Sequence, residues 1–278
     1  MATPTLSAHQ IPGALGEILV DVRTTSRDAA QPAVLLLHGF KGFKDYSFLP
    51  VFADRLARAG FTAITASVSG SGVDAAGDFV HLERFARNTY SRELDDLRAV
   101  IAALSSGSLG VKPPTSIGVV GHSRGGGMAL LLAREVAAIR AVATWNGIGK
   151  ARRHTDAELA AWRRIGRIEI LHQRLRIRLP LDFEVAEDCL KHENDRLDIP
   201  AAARELARPW LQLHATADAT VEFSEAEELA RVAGEGHHFE PIEGSDHVWG
   251  CVHPWAGATP DAERVFDLTV RHLSRNLD

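Results

Sequence analysis

The run Gly121-His122-Ser123-Arg124-Gly125 has the spacing G-x-S-x-G. Small residues on both sides of a serine let a chain leave a strand and enter a helix through a very tight turn, which lifts the serine Oγ clear of the sheet. The serine then stands at a helix N-terminus, where backbone N–H groups and the helix dipole favour developing negative charge. An apolar run at 116–120 precedes the motif and a small-residue helical pattern at 124–137 follows it, which is the context such a turn requires. Ser123 is the candidate nucleophile, and the chemistry would be acyl transfer through a covalent intermediate. The bland alternative is a glycine-rich turn with an inert serine. His122, the variable position of the motif, reads as structural.

Acyl transfer needs two preorganised N–H donors aimed at the tetrahedral oxyanion. One belongs to the residue after the nucleophile, Arg124. The other falls on the loop after the apolar run AVLLL, in His38-Gly39-Phe40-Lys41-Gly42, where the Phe40 N–H is the best placed. His38, Gly39, Lys41 and Trp249 are the candidate substrate contacts. Lys41 and Lys44 also read as ordinary surface charges.

A serine hydroxyl needs a base, and the base needs an orienting acid. Thirteen histidines make the presence of one uninformative, so chain order decides: nucleophile, then acid, then histidine. Asp218 follows the apolar run WLQLH, in a loop at the C-terminal end of a predicted core strand, where ligands of such sheets bind. His247 follows the next predicted strand. His237 and His238 start that strand and so lie at its wrong end. His253 is a weaker competitor, and His272 belongs to the last predicted helix. Asp246 adjoins His247, but sequence neighbours usually point apart. The run ending at Trp145-Asn146-Gly147 offers no carboxylate.

The elements that must position these groups alternate. Strands are expected at 15–22, 33–37, 61–68, 116–120, 140–146, 210–214 and 237–242. Helices are expected at 47–59, 91–105 with Ser91 as N-cap, 124–137, 222–233 and 261–275. Repeated strand-then-helix units imply an α/β fold with a mostly parallel central sheet and helices on both faces. The segment at about 147–200 breaks the rhythm, with a helix at 155–165, a hairpin-like stretch at 167–179 and a polar tail. It is expected to be a cap insertion in a single domain covering 1–278. Within it, Arg174, Arg176 and Arg178 alternate with apolar residues, as on a half-buried strand with one arginine face. Residues 147–180 carry Lys150 and eight arginines against Asp156, Glu158 and Glu169. Mutual ion pairing is the plain reading, and attraction of anionic substrates the sharper one.

Composition narrows the class. The chain has 278 residues, 45% of them hydrophobic and 24% charged, with a formal net charge of −5. It lacks the clustered basic excess of a nucleic-acid-binding surface. No apolar run approaches the roughly 20 residues of a membrane span, and the N-terminus has no secretory pattern, so a cytoplasmic protein with no membrane partner is expected. Two distant cysteines, Cys189 and Cys251, match no metal-ligand spacing. No metal or organic cofactor is expected. A homodimer is left open.

With Ser123, Asp218, His247 and the 38–42 loop in order, the chain resembles the α/β-hydrolase superfamily over most of residues 31–275. The segments HGFKGFKD, DFVHLERFARNTYSRELDDL and GHSRGG are similar to those of bacterial serine esterases of the cinnamoyl/feruloyl esterase and dienelactone-hydrolase-like kind. A dienelactone hydrolase proper is expected to carry a cysteine nucleophile, whereas position 123 is serine; dehalogenases and epoxide hydrolases of this fold use aspartate. The resemblance implies a cap between the sixth and seventh core strands and a carboxylesterase acting on a small-molecule ester. Three other readings stay open: a peptidase or amidase, an acyltransferase or thioesterase with the same three residues, and a non-catalytic binding module.

Overall fold

The structure, a computed structural model, describes residues 3–173 and 175–277. Its strands are β1 (Thr5–Gly13), β2 (Gly16–Thr24), β3 (Ala33–Leu37), β4 (Thr62–Ser67), β5 (Ile117–His122), β6 (Ile139–Trp145), β7 (Arg167–His172), β8 (Ile177–Asp182), β9 (Trp210–Ala215) and β10 (His237–Ile242). Its helices are α1 (Leu49–Arg58), α2 (Leu82–Ala86), α3 (Tyr90–Ser105), α4 (Arg124–Glu135), α5 (Asp156–Ile165), α6 (Glu184–His192), α7 (Ile199–Glu205), α8 (Phe223–Val232) and α9 (Pro260–Asn276).

Eight strands form one sheet in the order β1-β2-β4-β3-β5-β6-β9-β10. The β1–β2 and β2–β4 pairs are antiparallel, and every pair from β4 to β10 is parallel. Alternation along the buried strands explains why both faces must be covered. On β3, Ala33, Leu35 and Leu37 pack with Leu94, Leu97 and Leu131 of α3 and α4. Val34 and Leu36 face the other way, onto Phe52 and Leu56 of α1 and Phe266 of α9. Trp145 closes this second layer, 4.8 Å from Phe52 between ring centroids, and its Nε1 donates to Thr269 Oγ1 at 2.9 Å. The chain runs to β4 on one side of β3 and then returns to β5 on the other. That reversal opens a crevice between the loops leaving β3 and β5, the place where open α/β sheets bind ligands.

Between β6 and β9 the chain leaves the sheet as α5, the antiparallel hairpin β7–β8, α6 and α7. A separate apolar cluster of Leu159, Trp162, Leu179, Leu181, Phe183 and Val185 forms there, together with Phe85 of α2. A capping box starts α5: Thr155 Oγ1 accepts from the Glu158 N–H, and Glu158 reaches back to the Thr155 N–H.

Several details differ from the sequence reading: α2 is an added helix, and the expected polar tail holds α6 and α7. The α3 cap is Thr89, whose hydroxyl accepts from the Arg92 N–H at 3.2 Å, whereas the Ser91 N–H donates to Asp188 Oδ2 at 3.0 Å. In the expected arginine strand at 174–179, Leu175 and Arg176 form a turn and β8 begins only at Ile177: Arg176 has φ +55°, Arg178 pairs with Glu169 at 3.7 Å, and Arg174 lies outside the described residues. The edge strand β1 was not expected, because its pattern is half-exposed and contains Pro12. Among the described residues no helix is long and apolar enough to cross a membrane.

Candidate active site

The turn between β5 and α4 explains its own sequence. A Cβ at Gly121 would lie 2.0 Å from the Gly125 carbonyl oxygen, and one at Gly125 would lie 2.5 Å from that of Leu37. Between them Ser123 adopts φ 57°, ψ −121°, a strained conformation for an L residue. Hydrogen bonds hold it there. The Ser123 N–H donates to the Trp145 carbonyl at 2.9 Å, and the Ser123 carbonyl accepts from the N–H groups of Gly126 at 2.9 Å and Ile148 at 3.1 Å.

Ser123 Oγ lies 3.0 Å from His247 Nε2, and His247 Nδ1 lies 2.6 Å from Asp218 Oδ2. Ser123 and Asp218 are both buried, and His247 is partly so. Burial alone would raise the Asp218 pKa. Hydrogen bonds from His247 and from the Val221 and Thr220 N–H groups outweigh it and hold the carboxyl below the usual range. An ionised Asp218 requires the His247 proton on Nδ1, which leaves Nε2 as the acceptor facing Ser123. The fully buried His214 lies 3.7 Å from the same carboxyl, and burial depresses its pKa, so it adds no competing charge.

Two residues hold His247: His122, expected to be structural, and Asn146, which sequence reasoning left without a part. The His247 carbonyl accepts from His122 Nε2 at 2.8 Å and from Asn146 Nδ2 at 2.9 Å. Asn146 also donates to the Asp246 carbonyl at 3.3 Å and accepts the Ala215 N–H on Oδ1 at 2.7 Å. Its side chain is fully buried and its φ is +47°, a conformation asparagine tolerates better than most residues. One signal was available: an amide residue at the C-terminal end of a buried core strand, directly before Gly147.

The loop after β3 reaches the nucleophile, for a Cβ on Gly39 would lie 3.0 Å from Ser123 Cβ. Arg124 is the first residue of α4, so its backbone N–H has no partner within the helix. Its guanidinium is buried, bonded to Glu93 Oε2 at 2.8 Å and stacked 3.8 Å from the Tyr90 ring centroid and 5.5 Å from that of Phe40. The two residues expected to supply oxyanion donors therefore touch through their side chains.

Two cavities of about 290 Å³ each meet at Ser123 and share Phe40 and Thr220. One is an apolar chamber under α5 and α6. The other is a groove that includes Gly39, Lys41, His172 and His247. Lys41 donates to the Leu171 carbonyl at 3.3 Å and so ties the loop to the β7–β8 hairpin; burial lowers its pKa. Two expected substrate contacts are corrected. Trp249, at 0% exposure, packs in the sheet's second core layer and lines neither cavity. His38 also lines neither: it is buried behind the loop, with its Nδ1 on the Gly39 carbonyl at 2.9 Å.

Comparison with known proteins adds the lineage. A family model described as the dienelactone hydrolase family matches residues 20–164, just over half of the chain. The chain belongs to that family. The matched stretch includes the 38–42 loop and Ser123, and membership places the chain among hydrolases. No curated protein matches it. Many solved structures share its α/β-hydrolase architecture, among them the following three. The esterase domain of a Rhodothermus marinus protein is 20% identical with TM-score 0.65, over 99% of this chain and 100% of that one. Est1E of Butyrivibrio proteoclasticus, also solved with ferulic acid bound, is 14% identical with TM-score 0.68, over 96% and 99%. A dienelactone hydrolase of Anabaena variabilis is 14% identical with TM-score 0.64, over 99% and 100%.

Proposed function

We propose that this dienelactone-hydrolase-family chain is a serine carboxylesterase with Ser123, His247 and Asp218 as its triad. The observation that carries the reading is the relay itself: Oγ to Nε2 at 3.0 Å and Nδ1 to Oδ2 at 2.6 Å. Ser123 Oγ attacks the ester carbonyl as its proton passes to His247 Nε2. The N–H groups of Phe40 and Arg124 receive the oxyanion. Collapse breaks the bond to the alkoxy oxygen, which takes the proton from Nε2 and leaves as the alcohol. Water, deprotonated by His247, then cleaves the acyl-enzyme and releases the acid and Ser123. This sequence needs only the chain's own residues and water. The thiol of Cys189 lies on the chamber wall, and burial pushes its pKa up to about 12, which makes it a poor alternative nucleophile. In this reading the segment from α5 to α7 is a cap within a single domain.

A fluorophosphonate probe should label wild-type protein once per chain and leave Ser123→Ala unlabelled, with ester hydrolysis lowered by about 10⁴-fold or more. Ser123→Ala hydrolysing p-nitrophenyl acetate at the wild-type rate would falsify the assignment.

A further inference from the structure

The two cavities at Ser123 differ in what borders them, and the difference bears on substrate orientation. Only the groove includes His247; the chamber includes Ser123, Arg124 and Phe40 but not His247. The proton that His247 takes from Ser123 must be delivered to the departing oxygen, so the alcohol half has to lie on the His247 side. With the carbonyl oxygen turned toward the Phe40 and Arg124 N–H groups, the remaining substituent of the carbonyl carbon points away from His247.

The chamber's chemistry limits what that substituent can be. Its wall includes Ile148, Leu159, Trp162, Leu181, Val185 and Cys189. Three arginines also border it, and each already holds a carboxylate. Arg124 is on Glu93 at 2.8 Å, Arg153 is on Glu225 at 2.6 Å, and Arg152 is on Asp156 and Glu193. A negative charge brought into the chamber would lose its hydration and meet cations whose charge is already balanced, which is costly. The groove is lined by Phe40 and Val248 as well as by Lys41, Tyr46, His172 and Gln173, and is open to the alcohol half.

We propose that the chamber is the acyl site and takes an uncharged apolar acyl group longer than acetyl, medium-chain or aromatic, while the groove takes the alcohol half. The proposal rests on Ser123 and His247 acting as above.

The test compares p-nitrophenyl hexanoate with the monoester of adipic acid, which places a carboxylate at the chain end. The expected result is kcat/KM at least about a hundredfold higher for the hexanoate, the order of the cost of an unpaired buried carboxylate. Ala186→Trp, inside the chamber, should lower the hexanoate-to-acetate ratio of kcat/KM at least tenfold. If that variant does not fold, Trp162→Ala carries the same test by raising the decanoate-to-hexanoate ratio. Equal rates on the two six-carbon esters overturn the proposal, as does an acyl-length preference that follows the groove variant Gln173→Trp instead of the chamber variants. A p-nitrophenol burst separates the two readings. A stoichiometric burst with an unmoved acyl ratio overturns only the chamber assignment, whereas absence of both burst and fluorophosphonate labelling overturns the serine mechanism as well.

Discussion

Asn146 and Glu93 carry the energetics of this site although neither touches a reacting atom. Asn146 bonds to Ala215, Asp246 and His247 from a position with no solvent exposure. Asn146→Ala leaves the Ala215 N–H unsatisfied, at a cost of about 1–3 kcal/mol, and removes one of the two donors on the His247 carbonyl, which frees His247 to shift. The expected outcome is a kcat lowered about tenfold or more with a much smaller change in KM, measured on a soluble ester. Asn146→Asp keeps the acceptor for the Ala215 N–H but turns a buried carboxylate oxygen toward the Asp246 and His247 carbonyls, and should lower both stability and kcat. Glu93 answers a different question. It and Arg124 are each about 95% buried. Glu93→Gln strands a buried guanidinium, and urea denaturation should show a loss of about 3–5 kcal/mol. Exposed pairs such as Arg178 with Glu169 should be nearly silent in the same assay.

At the level of elements, the β5–α4 turn has no slack. Gly125→Ala places a methyl 2.5 Å and 2.6 Å from the Leu37 and His38 carbonyl oxygens, which are backbone and cannot yield without moving β3. That variant should lose soluble expression or melt far below the wild type, whereas Gly166→Ala, where nothing lies within 4 Å, should show only the cost of its φ of +77°. This rigidity is why so much of the site was legible in the sequence. Short strands fully buried on both faces read as continuous apolar runs, and the loops at their C-terminal ends could be located to within a residue or two. Chain order then selected Asp218 and His247. The failures have equally local causes. Trp249 stands two residues from His247 in the chain, but its φ is +60° and its side chain is buried in the core. Asn146 went unnoticed because its partners lie 69 to 101 residues away and an amide has no place in a nucleophile–base–acid pattern. Between β6 and β9 the pattern was weakest, because a small cluster built partly on Phe85 from elsewhere in the chain leaves only short apolar signals in its own sequence.

For the whole molecule, buried histidines set the response to acid. Burial depresses His237 and His272 to about 4, and depresses His38 and His214 as well. At His237 and His272 the unfolded chain takes up a proton near pH ~6.5, whereas the folded chain does not until near 4. The unfolded state therefore binds more protons in that window, and stability falls as pH drops through it. Asp218 adds a later loss: its stabilisation is present above the unfolded carboxyl value and disappears as pH falls through its lower folded one. Melting temperature followed from neutral pH down to about pH 5 should decline in the wild type and decline less steeply in His272→Gln; an unchanged slope would show that His272 is not responsible. The single amide of Asn146 also ties the ends of β6 and β9 to the loop after β10, so opening any one of them breaks a hydrogen bond held by the others. Heat should then abolish catalysis and secondary structure along a single coincident transition, with no inactive but folded species between.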